Sequence, residues 1–416
     1  MEEVMKSIIV AIDSINYHSK LEYLIEELKE LAKACDIMVD YQMVQTLKRP
    51  NPVSYIGKGK LEELIQFIDA EDIELVIFND ELSPSQMKHL SELISCELID
   101  RTGIILRIFE QRAKTKEAKL QVESAKLNYL LPRLVGANID KIGQLGGSGF
   151  RGSGEKQIEL DRRIIHNRLN KIKKELESVA LKSEIQRSKR KKNDVPIVAL
   201  IGYTNSGKST LMNYFLNHRK NKLVLEKDMV FASLQTSTRL IELENQLPFL
   251  LTDTVGFVQE LPKHLFKAFR STLEELLEAD LLIQVVDSSS IHYQEHIAST
   301  NVILSELKAL EIPMIYAYNK VDLGGYASVV AKNPHLFISA KEGTNLNKLE
   351  KAITNILLKD GIKVNLKIPY TQGEDYASLV KLTKVIKTDY LDDNIYVEVI
   401  CPITRIKQFE KYILTN

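Results

Sequence analysis

Residues 196–216 read PIVALIGYTNSGKSTLMNYFL. Ile197 to Ile201 is an unbroken apolar run, Gly202 to Gly207 a glycine-bounded turn, and Leu211, Met212, Phe215 and Leu216 fall at helical spacing. The order is strand, loop, helix. Gly202-Tyr203-Thr204-Asn205-Ser206-Gly207-Lys208-Ser209 fits the spacing G-x-x-x-x-G-K-S/T. Glycines at both ends let backbone N–H groups turn inward around phosphate oxygens. Lys208 can then reach the β- and γ-phosphates and Ser209 a Mg²⁺ ion, with Thr210 next on the helix. The helix start adds its positive dipole end. The bland alternative is a glycine turn with a surface lysine, and it leaves the flanking strand and helix unexplained.

Further apolar runs follow at 248–253, 281–287, 313–319 and 335–339, alternating with helical segments that end in 346–358. That alternation predicts a doubly wound α/β sheet, with the polar residues at strand ends forming one site. Asp253-Thr254-Val255-Gly256 closes the first of these runs. An Asp there can hold Mg²⁺ through water, and the Gly256 N–H can meet a γ-phosphate. A plain Asp helix cap is the competing reading. Asn319-Lys320-Val321-Asp322 closes a later run. Guanine presents N1–H and an exocyclic amine side by side, so one carboxylate at Asp322 can accept both, whereas adenine cannot satisfy it. Lys320 can lie along the base and ribose. Ser339-Ala340-Lys341 can offer a backbone N–H to the guanine O6. Together these strings specify GTP and GDP.

The segment FASLQTSTR at 231–239 is the candidate loop that senses the γ-phosphate. Ser233 is the first choice for the Mg²⁺-sensing hydroxyl, with Thr236 and Thr238 as competitors and a plain polar loop as the alternative. Lys208, Ser209, Asp253 and Gly256 are thus the catalytic candidates, and Ser209, Ser233 and Asp253 the metal candidates. Phe257 follows Gly256, where many small GTPases carry a Gln that orients water; Phe cannot do this, so unaided hydrolysis is expected to be slow. Asn205 can either help hold a K⁺ ion beside the phosphates or stabilise the loop as an amide.

Upstream, 4–106 alternates short apolar runs with amphipathic stretches, including a helix opened by Ser83-Pro84, and predicts an α/β domain with a mostly parallel sheet. Residues 110–133 predict one long helix, and LGGSGFRGSGE at 145–155 cannot be regular structure. From Glu155 to Lys192 a second helical stretch carries 13 Lys/Arg against 6 Asp/Glu. The reading is a basic helical hairpin with a Gly-rich tip. Such an arm suits an RNA partner, since lysines contact phosphate and bare backbone approaches closely; a solvated brace between domains is the equal alternative. After 363 a small α+β tail is expected, with strands at IKVNLKIPY and NIYVEVICP and helices at YASLVKLTK and ITRIKQFEKYIL. The expected divisions are 1–108, 109–193, 194–361 and 362–416.

The formal net charge is +0, so no global field draws the chain onto nucleic acid or membrane. Cys35, Cys96 and Cys401 share no metal-ligand spacing. No run approaches the ~18 apolar residues of a membrane span. A cytoplasmic setting and, without a long heptad seam, a monomer are expected. Residues 1–150 contain no P-loop.

Five stretches resemble the HflX family of ribosome-associated GTPases: NPVSYIGKGKLEEL at 51–64, residues 100–134, LGGSGFRGSGEKQIELDRR at 145–163, GYTNSGKSTLMN at 202–213, and LTDTVGFVQELPKHLFKAFRSTLEE at 251–275. The resemblance implies an N-terminal α/β domain, a helical hairpin, a GTPase domain and a small C-terminal domain. It also implies binding to the large ribosomal subunit and its rRNA, and GTP-dependent splitting or rescue of stalled ribosomes. The alternative is a GTP-dependent docking switch acting in ribosome assembly. Arg133, Ser148, Phe150, Arg151 and Lys156 are the expected rRNA contacts. The family usually reads Thr-Leu-Asp-Pro-Thr in the sensing loop, and here the residues are Ser233-Leu234-Gln235-Thr236-Ser237. Phe150, Ser148 and Ser153 also depart from the family run at the tip, which suggests a specialised paralogue acting under a particular stress.

Overall fold

The computed structural model describes residues 5–14, 20–134, 153–192, 195–217, 237–243, 247–254, 256–257, 265–266, 273–324, 329–359, 361–391, 393–401 and 406–414. Ser148, Phe150, Arg151, Ser233 and Thr236 lie outside them, and Lys156 is described only as backbone of a helix.

Apolar runs become strands in the N-terminal region: β1 (Ser7–Asp13), β2 (Tyr41–Thr46), β3 (Leu75–Phe78) and β4 (Glu97–Asp100). They pair in parallel in the order β2-β1-β3-β4. Ile8 to Ile12 are all buried, as a strand covered on both faces requires. Helices α1 (Leu21–Lys33), α2 (Lys58–Glu71), α3 (Pro84–Leu93) and α4 (Arg101–Arg112) alternate with the strands. Ser83 caps α3 with the reciprocal Gln86 bond, and Pro84 takes the first turn, where a missing N–H is harmless.

The single helix expected over 110–133 is two. α4 ends at Arg112, Ala113 is extended, and Thr115 opens α5 (Lys116–Leu130) by accepting from the Ala118 N–H at 3.2 Å. The Thr115 hydroxyl offers the backbone a new start, and this outweighs continuation. α6 (Ser153–Lys192) runs beside α5: Arg168 grips Glu123 with two bonds of 2.5 Å, and Lys116 lies 3.4 Å from Glu175. Most side chains from Glu159 to Val179 face water, and Ile172 is buried.

The second sheet is β5 (Ile197–Gly202), β6 (Ser237–Ile241), β7 (Phe249–Asp253), β8 (Leu281–Asp287), β9 (Met314–Asn319) and β10 (His335–Phe337). Its order is β10-β9-β8-β5-β7-β6, parallel except for β6 against β7. Helices α7 (Lys208–Asn217), α8 (Tyr293–Leu307) and α9 (Leu346–Leu357) accompany it. Leu200, Leu211, Phe215, Phe249, Ile283 and Ile353 are among its buried core. Edge strand β6 went unread because STRLI is too polar to look like a strand. Its cross-strand pair Thr238–Thr252 shares a 3.0 Å hydroxyl bond, so Thr238 is a sheet residue rather than a metal sensor.

The tail is a three-stranded antiparallel sheet, β11 (Ile362–Pro369), β12 (Lys384–Leu391) and β13 (Asn394–Cys401), in the order β11-β13-β12. Helix α10 (Gly373–Leu382) and a 3₁₀ stretch at Lys407–Tyr412 accompany it. β12 was missed, and the helix expected at 403–414 is only that 3₁₀ stretch among the described residues. Among these residues no helix is long and apolar enough to cross a membrane.

Candidate functional site

The carboxyl ends of β5, β7, β8 and β9 bring the motif residues together. Gly207 has φ +94°, and a Cβ there would run into the Asn319 amide, so the loop tolerates only glycine. Asn319 explains that closeness. Its Nδ2 donates to the Ser206 carbonyl at 2.9 Å, and its Oδ1 accepts from the Ala340 N–H at 2.8 Å. Its own carbonyl accepts from Ser288, through N–H at 2.9 Å and Oγ at 2.7 Å. One buried amide thus ties the phosphate loop to the segment after β10. Asn205 sits at φ +58° on the exposed outer curve of the loop.

Lys208 is buried and donates to the carbonyls of Gly202 at 3.1 Å and Tyr203 at 2.7 Å. Burial lowers its pKa to about 8, and nearby Asp253 acts against that shift. The Ser209 Oγ donates to Asp253 Oδ2 at 2.9 Å. Thr254 is buried and donates to the Leu200 carbonyl at 2.7 Å, which fixes the chain as it leaves β7. Gly256 lies against the loop: a Cβ there would come within 2.8 Å of Thr204 Cγ2 and 3.1 Å of Lys208 Nζ. Next to it Phe257 pairs with Tyr203, donating N–H to the Gly202 carbonyl at 3.1 Å and accepting from the Thr204 N–H at 2.8 Å. The Phe257 side chain is buried, so it has no route to a water molecule at the site.

On the base side, Lys320 is held at φ +67° with its Nζ 2.8 Å from Asp287 Oδ2. Asp322 is exposed on a 3₁₀ turn, Val321–Leu323. Ser339 is buried; its N–H donates to the Thr344 carbonyl at 3.1 Å and its Oγ accepts from the Glu342 N–H at 3.0 Å. The N–H groups of Ser339 and Ala340 are therefore used inside the protein, and the exposed Lys341 carries the next one.

Three site residues escaped the sequence reading. Asp287 ends β8 and Ser288 follows it, and they hold Lys320 and Asn319 respectively. Asp287 closes an apolar run as Asp253 does, a signal that was available. His296 on α8 stacks on Tyr203, with ring centroids 4.0 Å apart and 12° between planes. Burial lowers His296 to about 4, with Asp287 opposing. No local spacing marks that contact.

One expected rRNA contact moves elsewhere. Arg133 is buried, with NH1 on the Tyr129 carbonyl at 2.7 Å and NH2 on the Leu82 carbonyl at 2.7 Å and on Asp100 at 3.3 Å. Its guanidinium lies 3.7 Å over the Tyr129 ring. A cation spent in this way braces the N-terminal region and does not face RNA.

Residues 22–110 match the family described as GTP-binding GTPase N-terminal, 112–190 the GTP-binding GTPase middle region, and 197–320 the 50S ribosome-binding GTPase. The chain is 42% identical over 395 residues to GTPase HflX of Caldanaerobacter subterraneus subsp. tengcongensis, covering 93% of this chain and 90% of that one. It is 47% identical over 304 residues to GTPase HflX of Alkalihalophilus pseudofirmus, covering 73% and 71%. The chain belongs to the HflX family of GTPases. As an HflX-family protein it binds GTP and GDP and hydrolyses GTP. A solved structure, SsGBP in complex with GDP, is similar at 27% identity and a TM-score of 0.47, over 84% of this chain and 97% of that one.

Proposed function

We propose that this HflX-family GTPase is a factor of the large ribosomal subunit that uses GTP to split or rescue stalled ribosomes in the cytoplasm. The observation that carries the reading is the buried Phe257, which leaves the GTPase site without a water-orienting side chain at that place. A site so built needs a partner to complete it. The matched family description, 50S ribosome-binding GTPase, supports a ribosomal partner.

The geometry of the described residues supports these roles. Backbone N–H groups from Gly202 to Thr210 cradle the phosphates, and Lys208 exchanges its two carbonyl contacts for phosphate oxygens. Its lowered pKa still leaves it largely charged at neutral pH, and phosphate restores the charged form. Gly256 lies close enough to Lys208 for its N–H to meet the same γ-phosphate. Asp322 accepts the two guanine donors, and Lys320, steadied by Asp287, lies along the base. The Lys341 N–H is the donor for the guanine O6.

Ser209 and Asp253 stand 2.9 Å apart, one hydroxyl beside one carboxylate, and this donor set fits Mg²⁺, which is held by few protein oxygens together with substrate phosphates. Mg²⁺ bound there supplies neutralisation of charge on the β- and γ-oxygens. Ser233 joins as the sensing hydroxyl, and Asn205, exposed on the phosphate loop, helps to hold a K⁺ ion. Ser148, Phe150, Arg151 and Lys156 contact rRNA from the hairpin.

Sucrose-gradient separation of subunits tests the proposal. Splitting with GTP, with a fall when a non-hydrolysable analogue replaces it, is the expected result. Binding to the large subunit in the GTP form with no separation of subunits would make the chain a docking switch. Equal retention of GTP and GDP forms on both purified subunits would remove the ribosome from the reading.

A further inference from the structure

The C-terminal sheet has one face packed and one open. Leu366, Ile368, Ile395, Val397, Val399 and Cys401 form the packed side, in a core shared with Leu379 of α10 and Phe409. The alternate residues point the other way. On β11 these are Lys363, Asn365 and Lys367, all exposed, and on central β13 they are Tyr396, Glu398 and Ile400. On β12 they are Lys384, Lys387 and Asp389. A bulge between Val385 and Lys387 puts both lysines on one face although they are three residues apart.

The register arranges them in rows. Lys367 and Asp389 flank Tyr396, Asn365 and Lys387 flank Glu398, and Lys363 and Lys384 flank Ile400. Lysines therefore line both outer strands, about 10 Å apart, on either side of a central aromatic. Lys367 Nζ lies 5.7 Å from the Tyr396 ring centre. Two lysines are held by carboxylates, Lys363 by Glu398 at 2.7 Å and Lys387 by Asp389 at 2.6 Å. Exposed pairs of this kind are weak and exchange readily for a stronger anion. Four lysines against two carboxylates make the face basic in a chain whose net charge is +0. Its apolar content is Ile400 and the tyrosine ring, with exposed Ile386 at the bulge beside them, too little for the buried centre of a protein interface.

We infer that this open face binds single-stranded RNA, with Lys363, Lys367, Lys384 and Lys387 on phosphates and Tyr396 beneath a base. Ammonium groups tracking a backbone and a ring stacking on a base are the two contacts by which sheets hold single strands. The choice of RNA rests on the ribosomal reading above; the charge and the ring are independent of it.

The probe is a short fluorescein-labelled single-stranded RNA of mixed sequence, read by anisotropy against the full chain. The variant K363Q/K367Q/K387Q leaves the basic residues of α6 intact. It is expected to bind at least tenfold more weakly at about 0.1 M salt, with a salt slope smaller by about 2, the release from three phosphates of a single strand. Tyr396→Ala weakens binding about tenfold with the slope unchanged, and Tyr396→Phe restores it. Thermal melts check that each variant is folded. Wild-type affinity and slope in the triple variant overturn the inference, because the RNA is then held elsewhere. A face that captures polyglutamate and not RNA overturns it in favour of an acidic protein partner. The oligonucleotide is read without ribosomes, so failure here and failure of subunit splitting are separate results.

Discussion

Arg133 and Lys208 are both buried cations at the carboxyl end of a parallel sheet, yet they are built for opposite ends. Arg133 meets two carboxylates, Asp100 at 3.3 Å and Glu81 at 3.5 Å, two carbonyls and an aromatic face. Asp100 completes that cluster by accepting from the Gly103 N–H at 2.8 Å, the Leu82 N–H at 3.0 Å and the Tyr129 hydroxyl at 2.8 Å. Burial pushes the Asp100 carboxyl up, and Arg133 pulls it back. Lys208 has two carbonyls and the more distant pull of Asp253. The first cation is charge-paired by the protein's own carboxylates, although its buried Nε has no hydrogen-bond partner among the described residues. The second is held ready for an anion that the protein does not supply. Burial of a charge therefore marks a function where the protein meets it with carbonyl dipoles rather than with a counter-charge in contact.

Removing the two cations should move stability in opposite directions. Arg133→Ala leaves Asp100 buried without its counter-charge, and should cost roughly 3–5 kcal/mol in the transition that reports the N-terminal region. Urea unfolding followed by hydrogen exchange at β4 measures this. A loss below about 1 kcal/mol would show that the other donors suffice for Asp100.

Lys208→Met breaks the comparison from the other side. Hydrolysis should fall about 10²–10³-fold, as when a preorganised charge stabiliser is lost. Without nucleotide the variant should be more stable than the parent by roughly 3 kcal/mol at pH 7, since it no longer buries an ammonium. The sign follows from the pKa, about 8 folded against 10.5 unfolded. Between those values the unfolded chain holds more protons, so the parent gains stability as pH rises through the window. The gap between variant and parent should close from pH 8 upward. A gap constant with pH would mean that Lys208 does not titrate there.

The contrast also shows what was legible beforehand. Lys208, Asp253, Asn319 and Asp322 could be read because each follows a buried run and the motif spacing is local. Arg133 could not. Its partners Leu82 and Asp100 lie 51 and 33 residues away, and beside a Gly-rich segment a lone arginine looks solvated. Strands β7, β8 and β9 were legible because they are central and apolar. β6 and β12 are edge strands, open to water along one side, and their polar residues carry no run to detect. The break at Thr115 was hidden in an unbroken helical pattern, because a cap hydroxyl is decided by one bond rather than by periodicity.

His296→Phe probes the nucleotide side with a smaller effect. The ring stack on Tyr203 is retained, and the titration is removed. His296 has a folded pKa of about 4 against 6.5 unfolded, so its neutral form contributes stability that is present above 6.5 and lost as pH falls toward 4. At pH 5 the parent should have lost roughly 2 kcal/mol from this group, and the variant should lose that much less. Equal acid sensitivity in the two would place the proton elsewhere.

The smallest effect belongs to Arg168, whose paired bonds to Glu123 look stronger than any contact of Lys208. Both side chains are more than a third exposed, 36% and 38%, so water and salt screen the pair. Arg168→Ala should cost below about 1 kcal/mol, and the loss should shrink in high salt, unlike that of Arg133→Ala. A salt-insensitive loss as large as that of Arg133→Ala would mean that the α5–α6 contact is buried as firmly as the Asp100 cluster. The comparison would then have to be drawn between the two sheets as wholes, because exposure alone would no longer separate a buried, charge-paired cation from a screened one.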